Sequence, residues 1–449
     1  MENAEQLKRK EIKFTMSSEN RTVGLTGAVS IGIGGMVGGG IFAVLGEAVS
    51  IAHGATAIAF LIAGMVALLT SYAYAKLSVK YQNRGGTVVF IDHAFGHELF
   101  SGSMNLILWL SYLVTISLYA VAFASYAQTF FHGNASLWLR HLLISAAILL
   151  PAGINLLNAS IVSKSEAIIV AIKLILLIVI IISGLTFVDP TRFTPTQWGS
   201  SVSIIAAGMV IFVAYEGFEL IANSAEEIKN PARNLPRAFY GSVVLVIILY
   251  ILTSIVTVGT VPEDQLLTAK DYALAVAAKP ALGQVGFTIV AVAALLATFS
   301  AINATIYGNA RLGYILAKEG ELPEQLDRKV WNKPVWGVLI TVILSLLMAN
   351  LINLTAIAII GSASFLLIFA VTNASALKLA KEIGGNRLVY MIAFLACVAA
   401  LITLLIHTYE DNPEAIRVFF SFIVITVVFE LTYGKLARHG FLRGGSENT

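Results

Sequence analysis

Long apolar stretches separated by short polar segments run along the whole chain of 449 residues. An apolar stretch of about 20 residues is long enough to cross the hydrocarbon core of a bilayer as a helix. The pattern therefore predicts an all-α membrane protein with twelve transmembrane helices, numbered spans 1 to 12. Their predicted bounds are 23–50, 55–79, 99–131, 142–159, 166–187, 201–228, 238–260, 284–317, 335–352, 354–377, 388–407 and 415–434.

The composition agrees with this pattern, because 57% of the residues are hydrophobic and only 12% are charged. A soluble globular domain carries about 25% charged residues. The first twenty residues are polar and charged and lack the apolar core of a secretory signal, so we expect span 1 to be retained. The single cysteine, Cys397, lies within the predicted span 11 and indicates no disulfide framework.

Lysine and arginine residues lie very unevenly on the two sides of the predicted membrane. With twelve spans and a cytoplasmic N-terminus, 23 of the 29 lie in cytoplasmic segments, five lie outside, and Lys173 lies within span 5. Cytoplasmic loops of membrane proteins are enriched in these two residue types. The distribution therefore predicts a multi-pass protein of the inner or plasma membrane with both termini in the cytoplasm.

A glycine-rich run, GGMVGGGIF at 34–42, interrupts the apolar sequence of span 1. Glycine lowers helix stability by about 0.8 to 1.0 kcal/mol relative to alanine, so the run favours a break in the helix. Irregular backbone at membrane depth is tolerated where it lines a cavity, and a restarted helix presents free N–H groups to an anion such as a carboxylate. The alternative is close helix packing through small residues. Because the five glycines cover more than one helix face, we favour the break.

A second interruption, Tyr215-Glu216-Gly217, lies at a similar depth in span 6. Broken helices at corresponding positions of two halves indicate an inverted repeat with a substrate site near the bilayer midplane. Five spans separate the interruptions, so we expect spans 1–5 and 6–10 to be related by inversion, with two extra C-terminal helices. The expected divisions are a cytoplasmic tail at 1–22, repeats at 23–187 and 188–387, spans 11 and 12 at 388–434, and a cytoplasmic tail at 435–449.

The interruption in span 6 also places polar groups at membrane depth. Carbonyl groups of Phe212, Val213 and Tyr215 are candidate acceptors for an ammonium group. The Glu216 carboxylate costs about 2.5 to 3.5 kcal/mol at this depth unless it is paired or hydrated. Four roles stay open for it: selection of a cationic substrate side chain, proton relay, pairing with a basic group, or exposure to a water-filled vestibule. Glu219, one turn later, fits a structural hydrogen-bond acceptor or a gate residue better than a substrate ligand.

Lys173 lies in the middle of span 5, too deep between apolar turns to reach either membrane surface easily. Burial disfavours a charged group, so this lysine is a candidate to gain and lose a proton during a transport cycle or to act as a fixed cation in the place of Na⁺. An ordinary packing role against backbone carbonyls is the third interpretation. Span 8 carries a polar stripe, from which we single out Thr298 and Ser300.

No pattern for enzymatic chemistry appears in the sequence, which lacks a phosphate-binding loop, a Ser-His-Asp order, paired catalytic carboxylates and histidines at metal-ligand spacing. We therefore expect a transporter in the lipid bilayer without catalytic residues, metal site, organic cofactor or nucleic-acid partner. A membrane sensor or a channel is the alternative from a different class. The amphipathic segment 261–283, on the predicted outer side, is a candidate lid.

Three motifs carry a resemblance to a known family. They are GGGIF after the apolar run, FVAYEGFELIANSAEEIKNPARNLPRA in and after span 6, and NARLGYILAKEGELP at the end of span 8. Together they resemble the amino acid-polyamine-organocation family of permeases over all twelve spans, and within it the proton-coupled, broad-specificity amino acid transporters of prokaryotes. The resemblance implies a leucine-transporter-type five-plus-five inverted repeat, helices 1 and 6 broken at the midplane, and alternating access.

The resemblance also implies roles for individual residues. The substrate carboxylate is expected to bind backbone N–H groups of Gly38, Gly39 and Gly40. The substrate ammonium is expected to bind backbone carbonyl groups of Met36, Phe212, Val213 and Tyr215. Lys173 matches a lysine whose ammonium takes the place of a sodium ion, with the Gly34 carbonyl and the Ser300 hydroxyl as expected partners. We therefore expect an amino acid symporter coupled to H⁺ and not to Na⁺. Because of Glu216, the alternative is an exchanger, or a carrier of cationic amino acids or polyamines.

Overall fold

The computed structural model describes residues 21–131, 136–157, 159–318, 320–323 and 335–434. Within these ranges the chain is mostly helical, and β-type pairing is limited to two isolated backbone bridges. A helix overlaps each of the twelve predicted ranges, and the span numbers are kept as labels for these helices. Apart from positions 21 and 22, the predicted cytoplasmic tails lie outside the described residues.

The helices of spans 1 to 12 are, in order, Leu25–Met36 with Gly40–Ala52, Thr56–Lys80, Leu99–Gln128, Leu137–Leu157, Ala159–Gly184, Ser201–Val210 with Leu220–Asn223, Pro231–Thr260, Lys279–Lys318, Val335–Leu351, Leu354–Lys378, Arg387–Asp411 and Pro413–Phe429. Shorter helices lie between the spans, at Thr87–Phe95, Glu263–Thr268 and Ala273–Ala277. A π-helical turn, Glu430–Gly434, follows span 12.

Length and hydropathy give fewer membrane-crossing helices than twelve. Among the described residues, ten helices are long and apolar enough to cross a membrane, and the bent pair in span 1 raises the number to eleven. Val335–Leu351 is apolar but has only 17 residues. The all-helical membrane class is therefore confirmed, whereas the twelve-helix count and the five-plus-five inverted repeat stay predictions.

Spans 1 and 6 are both interrupted where the sequence predicts it. Span 1 bends by 46° between Leu25–Met36 and Gly40–Ala52. The first helix of span 6 ends in a 3₁₀ turn, Ile211–Tyr215, after which Glu216 is extended with a ψ of 144°. Gly217 has a φ of 118°, which side chains other than glycine rarely adopt. The glycine therefore permits the irregular backbone before span 6 resumes.

Two short backbone bridges join the ends of the broken spans. At one end, the Val23 N–H donates to the Glu227 carbonyl at 3.0 Å, and the Lys229 N–H donates to the Val23 carbonyl at 2.8 Å. At the other end, the Gly54 N–H donates to the Gln197 carbonyl at 2.9 Å. Spans 1 and 6 are therefore held side by side at both of their ends.

A cluster of buried aromatic rings holds span 6 after its break. The Tyr74 ring contacts Phe218, Phe239 and Phe369, with ring centroids 5.4, 6.1 and 5.7 Å apart. All four side chains are fully buried. Aromatic pairs of this kind contribute about 0.5 to 1.5 kcal/mol each beyond the burial of their surface. The cluster therefore fixes the end of span 6 against spans 2, 7 and 10.

The segment 261–283, the candidate lid, packs against the second half of span 1. The Lys270 ammonium lies 2.5 Å from the Glu47 carboxylate. The Glu263 carboxylate lies 2.6 Å from Nδ1 of His53, at the end of span 1. These contacts place charged groups of the segment directly on span 1.

Gly46 is a point of very close contact between span 1 and this segment. A Cβ atom at Gly46 would lie 2.0 Å from the Lys270 carbonyl oxygen. We expect Gly46→Ala to displace the segment, because overpacking of this kind costs about 1 to 3 kcal/mol. Labelling of a cysteine introduced at Leu266, which is 1% exposed, by an impermeant maleimide should then accelerate about tenfold. The native Cys397 is buried and should contribute little labelling.

The matched control for this experiment is Gly153→Ala. A Cβ atom at Gly153 would meet no atom within 4 Å, so the control should not change the labelling rate at Leu266. Equal labelling rates in the Gly46→Ala and Gly153→Ala backgrounds would contradict the close packing at Gly46.

Candidate functional site

The second half of span 1 begins with backbone N–H groups that the helix itself cannot pair. Its first internal bond runs from the Ala43 N–H to the Gly39 carbonyl at 2.9 Å, and no side chain caps the helix. In the part of the chain that the structure describes, the N–H groups of Gly39 and Gly40 have no acceptor in ordinary hydrogen-bonding geometry, whereas that of Gly38 donates to the Gly35 carbonyl at 3.3 Å. These N–H groups and the helix dipole together suit a carboxylate.

Glycines of the run also permit close packing on several sides. A Cβ atom at Gly39 would lie 2.2 Å from the Tyr119 ring of span 3, and one at Gly40 would lie 2.7 Å from the Ala214 backbone of span 6. A Cβ atom at Gly38 would approach a side chain of span 8 to 2.9 Å. Both interpretations of the glycine run, a helix break and close helix packing, therefore apply. The run interrupts span 1, and it also lets spans 3, 6 and 8 approach closely.

The two breaks touch each other at Gly35 and Gly217. A Cβ atom on Gly35 would lie 2.6 Å from the Gly217 carbonyl oxygen, and one on Gly217 would lie 2.4 Å from the Gly35 carbonyl carbon. Both contacts are with backbone atoms, which cannot rotate away as a flexible side chain can. Neither glycine therefore accepts a side chain without movement of one of the breaks.

Tyr250, in span 7, connects the two breaks by hydrogen bonding. Its hydroxyl oxygen lies 2.6 Å from the Met36 carbonyl oxygen and 3.1 Å from the Ala214 carbonyl oxygen. The Met36 carbonyl, a predicted ligand of the substrate ammonium, thus accepts a bond from Tyr250. The sequence pattern does not single out Tyr250, and a phenolic hydroxyl in the middle of an apolar span is the one signal that points to it.

The predicted residues of span 6 anchor its break to spans 2 and 10. The Tyr215 hydroxyl donates to the Phe60 carbonyl at 2.8 Å, and the Val213 N–H donates to the Ser362 hydroxyl at 2.9 Å. The Phe212 ring is fully buried, as are the side chains of Val213 and Tyr215. These side chains therefore hold the break in place. Only the backbone groups of these residues are left as candidates for ligand binding.

Lys173, Gly34 and Ser300, the predicted coupling residues, line one small cavity. Glu216 and Tyr119 line the same cavity, whose walls come from spans 1, 3, 5, 6 and 8. Its volume is about 20 Å³, which leaves room for about one water molecule. Lys173 is 2% exposed and Glu216 is 3% exposed. The structure thus brings the predicted coupling residues together beside the break in span 6.

The polar residues of span 8 face different parts of the protein. Ser300 lines the cavity, whereas Thr298 is fully buried and donates to the Ala294 carbonyl of its own helix at 2.7 Å. Asn303 accepts a hydrogen bond from Asn155 of span 4 at 2.7 Å. Interhelical bonds of this kind contribute about 0.6 to 2 kcal/mol. Only part of the stripe therefore belongs to the candidate site.

Two buried glutamates, Glu216 and Glu219, lie next to each other after the break in span 6, with their carboxyl groups in hydrogen-bonding contact. The Tyr119 hydroxyl lies 3.4 Å from the Glu216 carboxylate, and the Tyr112 hydroxyl lies 3.3 Å from the Glu219 carboxylate. Glu219 also accepts the Gly217 N–H at 2.7 Å. Glu219 therefore satisfies backbone within the break, whereas Glu216 faces the cavity.

Comparison with known proteins identifies the family of this chain. A family model described as amino acid permease matches residues 23–429. The chain belongs to the amino acid permease family. The resemblance to amino acid-polyamine-organocation permeases is confirmed by this match and by the relatives of the permease. The family and these relatives are transporters and not enzymes.

The permease is similar to its relatives along most of its length. An uncharacterized protein of Methanocaldococcus jannaschii is 34% identical over 427 residues, which cover 95% of this chain and 98% of that protein. The inner membrane transport protein YbaT of Escherichia coli is 33% identical over 400 residues, which cover 88% of this chain and 93% of that protein. The branched-chain amino acid permease BcaP of Bacillus subtilis is 24% identical over 331 residues, covering 69% of this chain and 70% of that permease.

The link through Tyr250 gives a stability prediction for the permease. Tyr250→Phe removes the hydroxyl from the Met36 and Ala214 carbonyls, and a buried polar group left unsatisfied costs about 1 to 3 kcal/mol. The unfolding temperature of the purified permease in detergent should therefore fall. Tyr240→Phe is a matched control on the same span, because the Tyr240 ring stacks on Tyr72 and is only half-buried. Equal unfolding temperatures for the two variants would mean that the link contributes nothing.

Proposed function

We propose that the permease is a secondary active amino acid transporter that couples uptake to protons by alternating access. The observation that carries the proposal is the cavity that Lys173 shares with Gly34 and Ser300. A buried lysine that lines a small cavity changes the local charge with each proton that it binds or releases. Proton binding can therefore alter how span 5 packs against spans 1 and 8, which the transport cycle requires.

The substrate in this proposal is an amino acid held between the two breaks. Its carboxylate is bound by the N–H groups at the start of the second half of span 1, from Gly38, Gly39 and Gly40. Its ammonium is bound by carbonyl groups of Met36, Phe212, Val213 and Tyr215. The unpaired N–H groups of Gly39 and Gly40 support the first half of this arrangement. A carbonyl oxygen has two acceptor positions, so the bond from Tyr250 leaves one position on Met36 for the ammonium.

The proposal includes the coupling ion and the orientation in the membrane. We expect H⁺ as the coupling ion, no Na⁺, no metal and no organic cofactor. Lysine and arginine residues lie mainly in the segments assigned to the cytoplasm, which supports a cell membrane location with both termini inside.

The test is amino acid uptake into proteoliposomes under imposed gradients. Accumulation should follow an inward H⁺ gradient, should saturate with substrate, and should be unaffected by a Na⁺ gradient. Uptake that follows the Na⁺ gradient instead would contradict proton coupling. Flux that does not saturate would indicate a channel, and binding without flux would indicate a sensor.

Glu216 favours a second candidate function, a carrier or exchanger of cationic amino acids or polyamines. Its buried carboxylate lies at the break in span 6 and could pair with a cationic substrate side chain. Competition against labelled alanine separates the two candidates. Stronger competition by lysine or putrescine than by neutral amino acids would support the second candidate. Release of internal substrate in strict exchange, without net accumulation, would identify an exchanger.

A further inference from the structure

Lys173 and Glu216 are buried groups of opposite formal charge that line the same cavity. Among the residues whose exposure the structure describes, Lys173 is the only buried lysine or arginine. Each charge alone is costly at membrane depth, and the cost falls when a proton moves from the cation to the anion. The cavity therefore has a group able to donate a proton and a group able to accept one among the residues that line it.

We propose that Glu216 is the immediate proton acceptor of Lys173 during transport, an inference that rests on the proposed coupling to protons. In the transfer, an N–H bond of the Lys173 ammonium breaks and an O–H bond forms on the Glu216 carboxylate. The products are an uncharged amine and an uncharged carboxylic acid, so the net charge of the cavity does not change. Release of the proton from Glu216 to water on the cytoplasmic side restores the carboxylate, and the Lys173 amine then binds a new proton from the outer side, which completes the movement of one proton.

The cavity is the right size for this exchange. Its volume of about 20 Å³ accommodates about one water molecule, which is able to carry a proton from donor to acceptor. The same volume is too small for the side chain of lysine or for a polyamine. The surroundings of Glu216 in this conformation therefore fit proton relay better than selection of a cationic substrate.

The groups that face Glu216 come from spans 3, 5, 6 and 7. They are Tyr112, Tyr119, Lys173, Glu219 and Tyr250. Lys173 is the only cation in this set. The Tyr119 hydroxyl donates to the Glu216 carboxylate at 3.4 Å and orients it.

Glu219 is occupied in a different way and is not among the residues that line the cavity. Its carboxylate accepts the Gly217 N–H at 2.7 Å and the Tyr112 hydroxyl at 3.3 Å. The first bond ties it to the backbone of the break, and its carboxyl group is also a neighbour of the Glu216 carboxyl. Glu216, and not Glu219, is therefore placed to receive the proton from Lys173.

The position of Glu216 in the chain connects proton transfer with substrate binding. Glu216 follows the 3₁₀ turn and immediately precedes Gly217, at the break in span 6. Lys173 belongs to a different helix, span 5. A rearrangement of the break on substrate binding changes the separation of the two groups and thereby controls the transfer.

The test uses Glu216→Gln in the full-length protein, reconstituted in proteoliposomes that contain a pH-sensitive dye. Counterflow exchange needs no net proton movement, so it should persist in the variant. Under a gradient of about one pH unit, wild type moving one proton per substrate should accumulate amino acid about tenfold. Glu216→Gln should equilibrate its substrate without accumulation, and the substrate-dependent signal from the dye should disappear.

Two further variants complete the design. Glu216→Asp restores a carboxyl group and should recover accumulation in part. Glu414→Gln is the control, because it makes the same chemical change at an exposed carboxylate at the start of span 12, outside the cavity. It should retain pH-driven accumulation.

Three outcomes would overturn the inference while the proposed function stands. The first is normal pH-driven accumulation by Glu216→Gln. The second is loss of counterflow together with accumulation, which would assign Glu216 to substrate binding or to folding. The third is a defect confined to lysine and putrescine, which would assign Glu216 to side-chain selection. Absence of pH-driven accumulation in the wild-type protein would instead contradict the proposed function itself.

Discussion

Lys173→Met should abolish the accumulation of amino acid under a pH gradient, from about tenfold to none for a gradient of about one pH unit and one proton per substrate. Lys173 is 2% exposed and lines the cavity with Gly34 and Ser300. Methionine keeps an unbranched side chain of similar length and flexibility, so it fills the same space. It binds no proton, so the cavity loses the proposed proton donor of the cycle.

The measurement is uptake into proteoliposomes, with counterflow as the check that the protein still binds substrate. Lys279→Met is a matched control, because Lys279 is exposed at the start of span 8 and lies over the Phe287 ring. It should accumulate substrate like the wild type. The double variant Lys173→Met/Glu216→Gln removes both charges from the cavity and separates loss of coupling from the effect of an unpaired buried charge. Concentrative, pH-driven uptake by Lys173→Met would exclude this lysine as the coupling site.

Gly217→Ala should reduce transport about tenfold or more and lower the unfolding temperature. The φ of 118° at Gly217 is strained for alanine, and the added Cβ would lie 2.4 Å from the Gly35 carbonyl carbon. Backbone strain of this type costs about 1 to 3 kcal/mol, and 1.4 kcal/mol corresponds to about a tenfold change. The two breaks would have to separate, and the groups proposed to bind the substrate would move with them.

The control for this variant is Gly241→Ala in span 7. A Cβ atom at Gly241 would meet no atom within 4 Å, and alanine favours a helix more than glycine does. We expect normal transport and an equal or higher unfolding temperature for it. Gly35→Ala should resemble Gly217→Ala, since each glycine faces the backbone of the other. Wild-type transport and stability in Gly217→Ala would show that the breaks do not depend on this contact.

Hydropathy located the helices closely because apolar composition over about 20 residues directly reflects the bilayer. Span 2, expected at 55–79, forms Thr56–Lys80. The agreement is poorer where a helix continues into polar sequence. Span 7, expected at 238–260, forms Pro231–Thr260, because proline suits the first turn of a helix and charged residues can extend it into water.

The breaks in spans 1 and 6 were also predictable, because a glycine run and a carboxylate within apolar sequence are local signals. The contacts between the breaks were not predictable in the same way. The hydrogen bonds of Tyr250 and the backbone contact between Gly35 and Gly217 depend on which spans are neighbours in the folded protein. That information is not present in the periodicity of any one segment. The joint cavity of Lys173 and Glu216 depends on the same tertiary arrangement.

The two backbone bridges have a mechanical consequence for the halves of spans 1 and 6. To swing one half away from its partner would break the two hydrogen bonds at Val23, or the bonds of Gly54 and Gly199 to Gln197 and Ala52. At about 0.5 to 1.5 kcal/mol per bond, each separation costs about 1 to 3 kcal/mol. Moving both halves together costs none of this. We therefore expect the four half-helices to move as two pairs, one at each end of the broken spans, and to pivot where Gly35 and Gly217 are in contact.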